Sequence, residues 1–118
     1  MKLYLDDIRV PSHTYSNPEQ WILYRSPEDL ISFFSQNYSL ITHISFDHDL
    51  NWYIKDTSEE ITGYSCLKTL CSIMIDKGIN PNQYTFYFHS ANPVGKQNMV
   101  SYWDNFRKYS THYLKEVE

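Results

Sequence analysis

Four short apolar runs alternate with three helical patterns along this chain, and this alternation restricts the fold more than any other feature. Each run is about five residues long and rich in aromatic or β-branched side chains, as strands usually are. The runs are Lys2 to Leu5, Trp21 to Tyr24, Ile41 to Phe46 and Tyr84 to Phe88. Strands that alternate with helices predict βαβ units, and therefore a parallel sheet with right-handed crossovers.

The helical patterns carry their own terminal signals. Apolar residues recur at three- and four-residue steps, which predicts amphipathic helices. Ser26, Pro27 and Asp29 are the signals for the start of the first helix. The second helix is expected from about Gly63 to Lys77, with Gly78 as its stop signal. Asn92-Pro93 is the start signal of the third. Residues 8–20 contain Pro11 and Pro18, so we expect a loop there with at most a short turn of helix.

The size and composition are those of one folded domain. A chain of 118 residues, 42% hydrophobic and 20% charged, predicts a single domain over residues 1–118. Cys66 and Cys71 lie in the second helical pattern without zinc-ligand spacing, so both are expected to be buried. The N-terminus lacks a signal-peptide core and no apolar run is long enough to span a membrane, which predicts a cytoplasmic protein without a membrane partner.

The charge argues against one class of partner. The formal net charge is −4, whereas a domain that binds nucleic acid mainly through its phosphates is normally basic. We therefore expect no extended duplex as a partner. A small phosphate ligand held through a metal ion remains compatible with this charge.

Polar residues follow three of the four predicted strands. The clusters are Asp6-Asp7 with Arg9, then Asp47-His48-Asp49, then His89-Ser90-Ala91-Asn92. A single aspartate at the end of a strand often only begins a turn. In a parallel sheet, however, the carboxyl ends of the strands meet at one edge, where ligands bind. The three clusters together therefore predict a functional site.

The acidic members of these clusters predict a metal site. Asp6, Asp7, Asp47 and Asp49 would repel one another unless a cation neutralised them. Carboxylate oxygens and water are the ligands of Mg²⁺ or Mn²⁺, so either ion is the expected cofactor. Such an ion polarises a phosphate or activates a water molecule.

The remaining cluster residues suit proton transfer and phosphate binding. His48 and His89 are candidates for general base and general acid, since histidine exchanges protons near neutral pH. Asp47 is the third catalytic candidate, as a nucleophile in place of that pair. Five candidates for contacts with phosphate oxygens are Arg9, Ser90, Asn92, Gly95 and Lys96. Asn92, Gly95 and Lys96 lie where the third helix is expected to begin, and the N-terminus of a helix favours binding of an anion. The spacing of these residues is not that of a P-loop. Three other histidines, at positions 13, 43 and 112, are expected to be structural or solvated.

Three of these segments resemble the receiver domains of bacterial response regulators. The segments are Leu3 to Asp7, Ile44 to Asp47 and Phe88 to Ala91. The resemblance implies a small three-layer, receiver-like (flavodoxin-like) α/β fold with a parallel sheet of about four strands in the order 2-1-3-4 and flanking helices. It also implies that Asp47 corresponds to the phosphate-accepting aspartate, but no fifth strand or strand-five lysine follows, which puts phosphorylation-driven switching in doubt.

The chain is more closely similar to a divergent receiver-like family proposed to process cyclic phosphates. The matching segments are Leu5 to Pro11, Ser45 to Leu50 and His89 to Met99. This resemblance implies a metal-dependent phosphodiesterase that opens a cyclic phosphate, with a 2′,3′-cyclic RNA end or a cyclic nucleotide as its partner.

Two other functions stay open at the level of sequence. One is a non-catalytic module that accepts a phosphoryl group on Asp47 or sequesters a nucleotide. The other is a metal nuclease acting on linear nucleic acid, which the acidic charge disfavours. A phosphatase of the haloacid type is excluded, because such an enzyme needs a second aspartate two residues after the first one. Here the first is Asp6, and Ile8 occupies the position of the second.

Overall fold

A computed structural model describes residues 1–117 and the side chains of residues 1–110. The strands are β1 (Lys2–Leu5), β2 (Trp21–Tyr24), β3 (His43–Phe46), β4 (Trp52–Tyr53), β5 (Glu60–Ile61) and β6 (Thr85–Phe88). The α-helices are α1 (Pro27–Asn37), α2 (Gly63–Lys77) and α3 (Pro93–Val117), and short 3₁₀-helices cover Pro11–His13, Pro18–Gln20 and Pro81–Gln83. No helix in the described part of the chain combines the length and the apolar character that crossing a membrane requires.

The main sheet confirms the expected receiver-like topology. Its order is β2-β1-β3-β6, and every neighbouring pair is parallel. The third strand begins at His43 instead of Ile41, and the last begins at Thr85 instead of Tyr84. Since all four strands run the same way, their carboxyl ends lie at one edge, as the sequence predicted.

The three α-helices begin where their terminal signals predicted, and α2 also ends at the predicted stop. The hydroxyl of Ser26 accepts a hydrogen bond from the Asp29 amide at the start of α1. Thr62 and Ser65 form a capping box at the start of α2, which ends at Gly78 in the left-handed conformation with φ of 67°. These contacts satisfy the amide and carbonyl groups that a helix leaves unpaired at its ends.

The three helices pack against one face of the sheet. Buried apolar residues of α1, α2 and α3 form one core with alternate residues of the strands, namely Leu3, Leu5, Ile44, Phe46 and Phe86. Cys66 and Cys71 belong to this core, as expected. Burial raises the pKa of each thiol to about 12, so both stay protonated near neutral pH.

The loop of residues 8–20 lies on the other face and forms the third layer. The hydroxyl groups of Tyr15 and Ser45 lie 2.7 Å apart, and those of Tyr4 and Thr14 lie 2.8 Å apart. The loop contains two of the 3₁₀-helices, one more than the single short turn that the sequence allowed. His13 is exposed and His43 is half-buried, whereas His112 lies outside the residues whose side chains are described.

The sequence did not predict the small antiparallel sheet of β4 and β5. Trp52 pairs with Ile61 and Tyr53 pairs with Glu60. The turn between them contains Asp56 at φ of 63°, a conformation that aspartate tolerates better than most residues. This hairpin extends over the carboxyl edge of the main sheet and adds a wall to the site.

Candidate metal and phosphate site

The polar residues that follow β1 and β3 meet in one cavity of about 430 Å³ at the carboxyl edge of the sheet. The residues that line it are Asp6, Asp7, Ile8, Arg9, Asp47, Asp49, Asn51, Glu60 and Ala91. All four carboxylates that were expected to bind metal are therefore brought together. The parallel topology places them there, because strand ends that are distant in sequence become neighbours.

Of these carboxylates, Asp6 accepts the most hydrogen bonds. Its Oδ1 accepts hydrogen bonds from the amides of Ile8 and Arg9, at 2.9 and 2.8 Å. Its Oδ2 accepts from Nη1 of Arg9 at 3.1 Å and lies 2.9 Å from Nε2 of His89. Burial alone would raise the pKa of Asp6, but these donors together lower it. Asp6 is therefore ionised at neutral pH although its side chain is 1% exposed.

Asp47 is buried beside Asp6, and its contacts do not fully offset the cost of burying its negative charge. Burial raises its pKa, and the charge of Asp6 raises it further. The hydroxyl of Ser90, the guanidinium of Arg9 and the amide of His48 oppose that rise without cancelling it. An additional cation at this position would therefore stabilise the ionised form of Asp47.

Arg9 lies between these two aspartates. Its Nη1 is 3.1 Å from Oδ2 of Asp6 and 3.7 Å from Oδ1 of Asp47. The loop that contains Arg9 is held in turn by Arg25, whose Nη1 donates to the carbonyls of Asp6 and Arg9 at 3.2 and 2.8 Å. The Arg9 guanidinium thus bridges the two carboxylates in the way a bound cation would.

His89 lies behind Asp6 and does not line the cavity. Its ring is stacked on the buried Tyr4 ring, with centroids 4.4 Å apart. Its Nδ1 is 2.7 Å from Oγ of Ser45, which is itself 2.7 Å from the Tyr15 hydroxyl. Burial lowers the pKa of His89 despite the opposing contact with Asp6, so the ring is neutral at pH 7.

The neutral ring determines the direction of the hydrogen bonds. Nε2 must carry the proton, because the Asp6 carboxylate can only accept. Nδ1 then accepts from the Ser45 hydroxyl, which accepts from Tyr15. A chain of hydrogen bonds therefore runs from Tyr15 in the 8–20 loop through Ser45 and His89 to Asp6. This arrangement favours a positioning role for His89 over the acid–base role expected from the sequence.

His48 is outside the cavity lining and is paired with Asp49. Its Nδ1 is 2.8 Å from Oδ1 of Asp49, and this contact is the main reason that the pKa of Asp49 is lowered. Asn92 adds contacts of 3.4 and 3.3 Å from its amide nitrogen to the two Asp49 oxygens. Asp49 lines the cavity, so the pair presents a carboxylate to it with the imidazole behind.

The residues expected to bind phosphate differ in where they lie. Arg9 lines the cavity, whereas Ser90 bonds to Asp47, and Asn92 caps α3 by accepting from the Gly95 amide at 3.0 Å. Gly95 contacts the His48 ring, since a Cβ there would lie 2.5 Å from Cγ of His48. Lys96 is exposed at the start of α3, outside the cavity lining.

Oxygen atoms of Asp6, Asp7 and Asp47 lie within 4.8 Å of one another, close enough for one ion. Among the residues whose side chains are described, Asp7 has no hydrogen-bond or ion-pair partner, so its carboxylate is available. Five carboxylates line the cavity with Arg9 as the only cation in that lining. The donor set consists of oxygen atoms alone, which fits Mg²⁺ or Mn²⁺.

Sequence reasoning missed several residues of the site. Asn51 and Glu60 line the cavity because the hairpin of β4 and β5 brings them there. Ser45 and Tyr15 support His89, and Arg25 supports the loop of Arg9. The clusters of turn residues between Tyr53 and Glu60 are a usable hairpin signal. For Ser45, Tyr15 and Arg25 the sequence offers no comparable signal.

Comparison with protein-family models gives a match over most of the chain. The model of the cyclic-phosphate processing receiver domain family matches residues 1–105, which include every residue of the cavity. Neither the curated proteins nor the solved structures contain a significant match.

Proposed function

Because the chain belongs to the cyclic-phosphate processing receiver domain family, we propose that it is a metal-dependent phosphodiesterase that opens a cyclic phosphate. The substrate is a 2′,3′-cyclic RNA end or a cyclic nucleotide. The observation that carries this proposal is the cavity in which Asp6, Asp7 and Asp47 come within 4.8 Å of one another, with only Arg9 to balance five carboxylates.

The acidic residues would hold the ion. Asp6, Asp7 and Asp47 are its proposed ligands, with Asp49 and Glu60 as further carboxylates in the same cavity. A bound Mg²⁺ or Mn²⁺ supplies charge that polarises the phosphate and favours attack by water. Asp6 presents an ionised carboxylate because its four hydrogen bonds keep its pKa low.

Arg9 is the proposed phosphate ligand. Its guanidinium bridges Asp6 and Asp47 when no other cation is present. A metal ion bound by these aspartates would release it toward the open cavity, where a guanidinium matches two phosphate oxygens. Binding of the ion and of the phosphate would therefore be coupled through one side chain.

The pair of His48 and Asp49 is the proposed acid–base group. Asp49 reaches the cavity, and His48 is hydrogen-bonded to it at 2.8 Å. Water forms a bond to phosphorus, one ring P–O bond breaks, and the departing oxygen receives a proton, which yields a linear phosphomonoester. The pair would take the proton from water and return it to the leaving oxygen.

The test is a panel of cyclic phosphates incubated with Mg²⁺ or Mn²⁺ and analysed by chromatography. The panel comprises nucleoside 2′,3′- and 3′,5′-cyclic monophosphates, cyclic dinucleotides and cyclic-ended RNA, each with a chelator control. A linear product that chelator abolishes, and that Asp7→Asn also abolishes, supports the proposal. Asp76→Asn is the matched control, because Asp76 is exposed on α2 outside the cavity.

The alternative module gives a different result in the same experiment. Asp47 directly follows β3 and bonds to Ser90 after β6, an arrangement that also suits a phosphoryl acceptor. That function predicts acid-labile phosphorylation that Asp47→Asn removes, or one-to-one ligand binding. Either result without a linear product from any substrate would replace the enzyme proposal.

A further inference from the structure

The second face of the sheet has an incomplete cover. Parallel sheets are almost always covered on both faces. Here the helices lie on one face, and the other is covered only in part by the 8–20 loop. Tyr87 remains 42% exposed and Leu23 36% exposed, while Trp21 and His43 are half-buried.

Four rings form a continuous surface there, which we call the aromatic face: Tyr15, Trp21, His43 and Tyr87. Tyr15 is stacked on Trp21, with centroids 4.4 Å apart and ring planes 9° from parallel. The Tyr87 centroid lies 6.1 Å from those of Tyr15 and His43 and 6.3 Å from that of Trp21. Each ring is therefore held by its neighbours, so little conformational entropy remains to be lost when a ligand binds.

The charge of this surface is opposite to that of the acidic cavity. An open cavity of about 150 Å³ on this face is lined by Lys2, three of the four rings and three uncharged polar residues of the 8–20 loop. None of its lining residues is acidic. Nζ of Lys2 lies 5.6 Å from the centroid of the Trp21 ring and 3.0 Å from Oε1 of Gln20, so its charge is held next to the aromatic surface.

We propose that the aromatic face binds single-stranded nucleic acid, with bases stacked on Tyr87 and its neighbouring rings and a backbone phosphate beside Lys2. Aromatic side chains with nearby cations are the usual means by which proteins bind single strands without base specificity. The face suits bases better than a protein partner, because Leu23 is the one aliphatic side chain of β2 on this face and uncharged amides surround the cation. A net charge of −4 restricts this binding to a local contact.

This surface is separate from the acidic cavity, and its test needs neither metal nor a cyclic phosphate. Fluorescence anisotropy with labelled oligoadenylate and oligouridylate that carry no cyclic end, in the presence of chelator, measures the binding. Tyr87→Ala should weaken it about 5- to 160-fold, the range for the loss of one stacked base. Tyr87→Phe should bind like the unmodified chain, because stacking uses the ring and not the hydroxyl.

Matched variants separate stacking from other effects. Tyr109→Ala removes a tyrosine that is 71% exposed on α3, away from this face, and should leave the affinity unchanged. Lys2→Gln should reduce the slope of log affinity against log salt by about 0.7. The indole resonance of Trp21 should shift when the oligonucleotide is added, while that of Trp103, which is 2% exposed, should not.

Three results would overturn the proposal. They are no oligonucleotide binding up to millimolar protein, binding that Tyr87→Ala leaves intact, or self-association that Tyr87→Ala abolishes while oligonucleotide remains unbound. The last result would assign the face to a second copy of the chain. Because the assay contains no metal, its failure leaves the proposed phosphodiesterase activity unaffected, and failure of that activity leaves this binding unaffected.

Discussion

Nε2 of His89 lies 2.9 Å from Oδ2 of Asp6, and the two side chains are 5% and 1% exposed. The contact joins the end of β6 to the end of β1, where the first acidic pair begins. The other nitrogen of the ring is held by Ser45, so the imidazole has no free nitrogen for a substrate. His89 therefore orients the carboxylate that is proposed to bind metal.

Replacing His89 should weaken metal binding more than it alters the pH dependence of the reaction. Loss of a residue that orients a metal ligand typically costs 10–100-fold in affinity or activity, so we expect His89→Ala to weaken Mn²⁺ binding by about that factor in calorimetry. His89→Gln keeps a donor for Asp6 and should recover part of the loss. Unchanged Mn²⁺ affinity together with the loss of one limb of the pH–rate profile would instead make His89 an acid or base.

Removing the Arg9 guanidinium should strengthen metal binding and weaken phosphate binding. Its guanidinium contacts Asp6 and Asp47 where the ion is proposed to bind, so Arg9→Ala should tighten Mn²⁺ binding in the absence of substrate. The same change should raise KM, because the phosphate loses its charged contact. Arg9→Lys should restore less than half of the lost KM effect, since lysine cannot bind two oxygens in a fork. Weaker Mn²⁺ binding by Arg9→Ala would show that Arg9 and the ion do not compete.

Adding a methyl group at Gly63 should destabilise the fold more than adding one at Gly95. A Cβ on Gly63 would overlap the backbone carbonyl oxygen of Asp47, which is fixed in the sheet edge. At Gly95 it would meet the His48 ring at 2.5 Å, and a side chain can rotate away. We expect Gly95→Ala to cost ~1–3 kcal/mol, the usual range for overpacking, and Gly63→Ala to exceed it in urea unfolding. An equal loss in the free energy of unfolding for the two variants would mean that the Asp47 backbone moves aside as easily as the His48 ring.

Stability should fall at alkaline pH partly through the two buried thiols. Each has a pKa of about 12 in the folded chain, against an ordinary value of 9.0. Between these values the unfolded thiols lose protons while the folded ones keep them, so the free energy of unfolding decreases as pH rises above 9. Urea unfolding should show a steeper decrease from pH 8 to 10 for the unmodified chain than for Cys66→Ala/Cys71→Ala. Parallel pH curves for the two proteins would contradict this account.

The same burial predicts how the thiols react. A thiol reagent at pH 8 should modify Cys66 and Cys71 only at the rate at which the chain unfolds, because the thiolate is the reactive form and both residues are buried. Reaction should become fast in denaturing urea. Fast reaction in the folded state would show that α2 opens locally.

Local patterns in the sequence were sufficient for the four strands of the main sheet and the three α-helices, whereas the strand order came from the resemblance to receiver domains and the hairpin of β4 and β5 was missed. The apolar runs, the caps at Ser26 and Asn92 and the stop at Gly78 depend on neighbouring residues, so they can be recognised without knowing the fold. Strands separated by helices restrict the sheet to parallel crossovers, and parallel strands bring Asp6, Asp7 and Asp47 to one edge. Their approach to within 4.8 Å of one another also requires β1 and β3 to be neighbours in the sheet.

Only the tertiary structure decided which partner each polar group has. His48 and His89 look equivalent in sequence, yet one is paired with the exposed Asp49 and the other is buried behind Asp6. Glu60 reaches the cavity through a hairpin, and the aromatic face exists because the 8–20 loop leaves one side of the sheet partly open. Such contacts join residues far apart in the chain, and their geometry depends on packing between layers, which periodicity and turn signals do not encode.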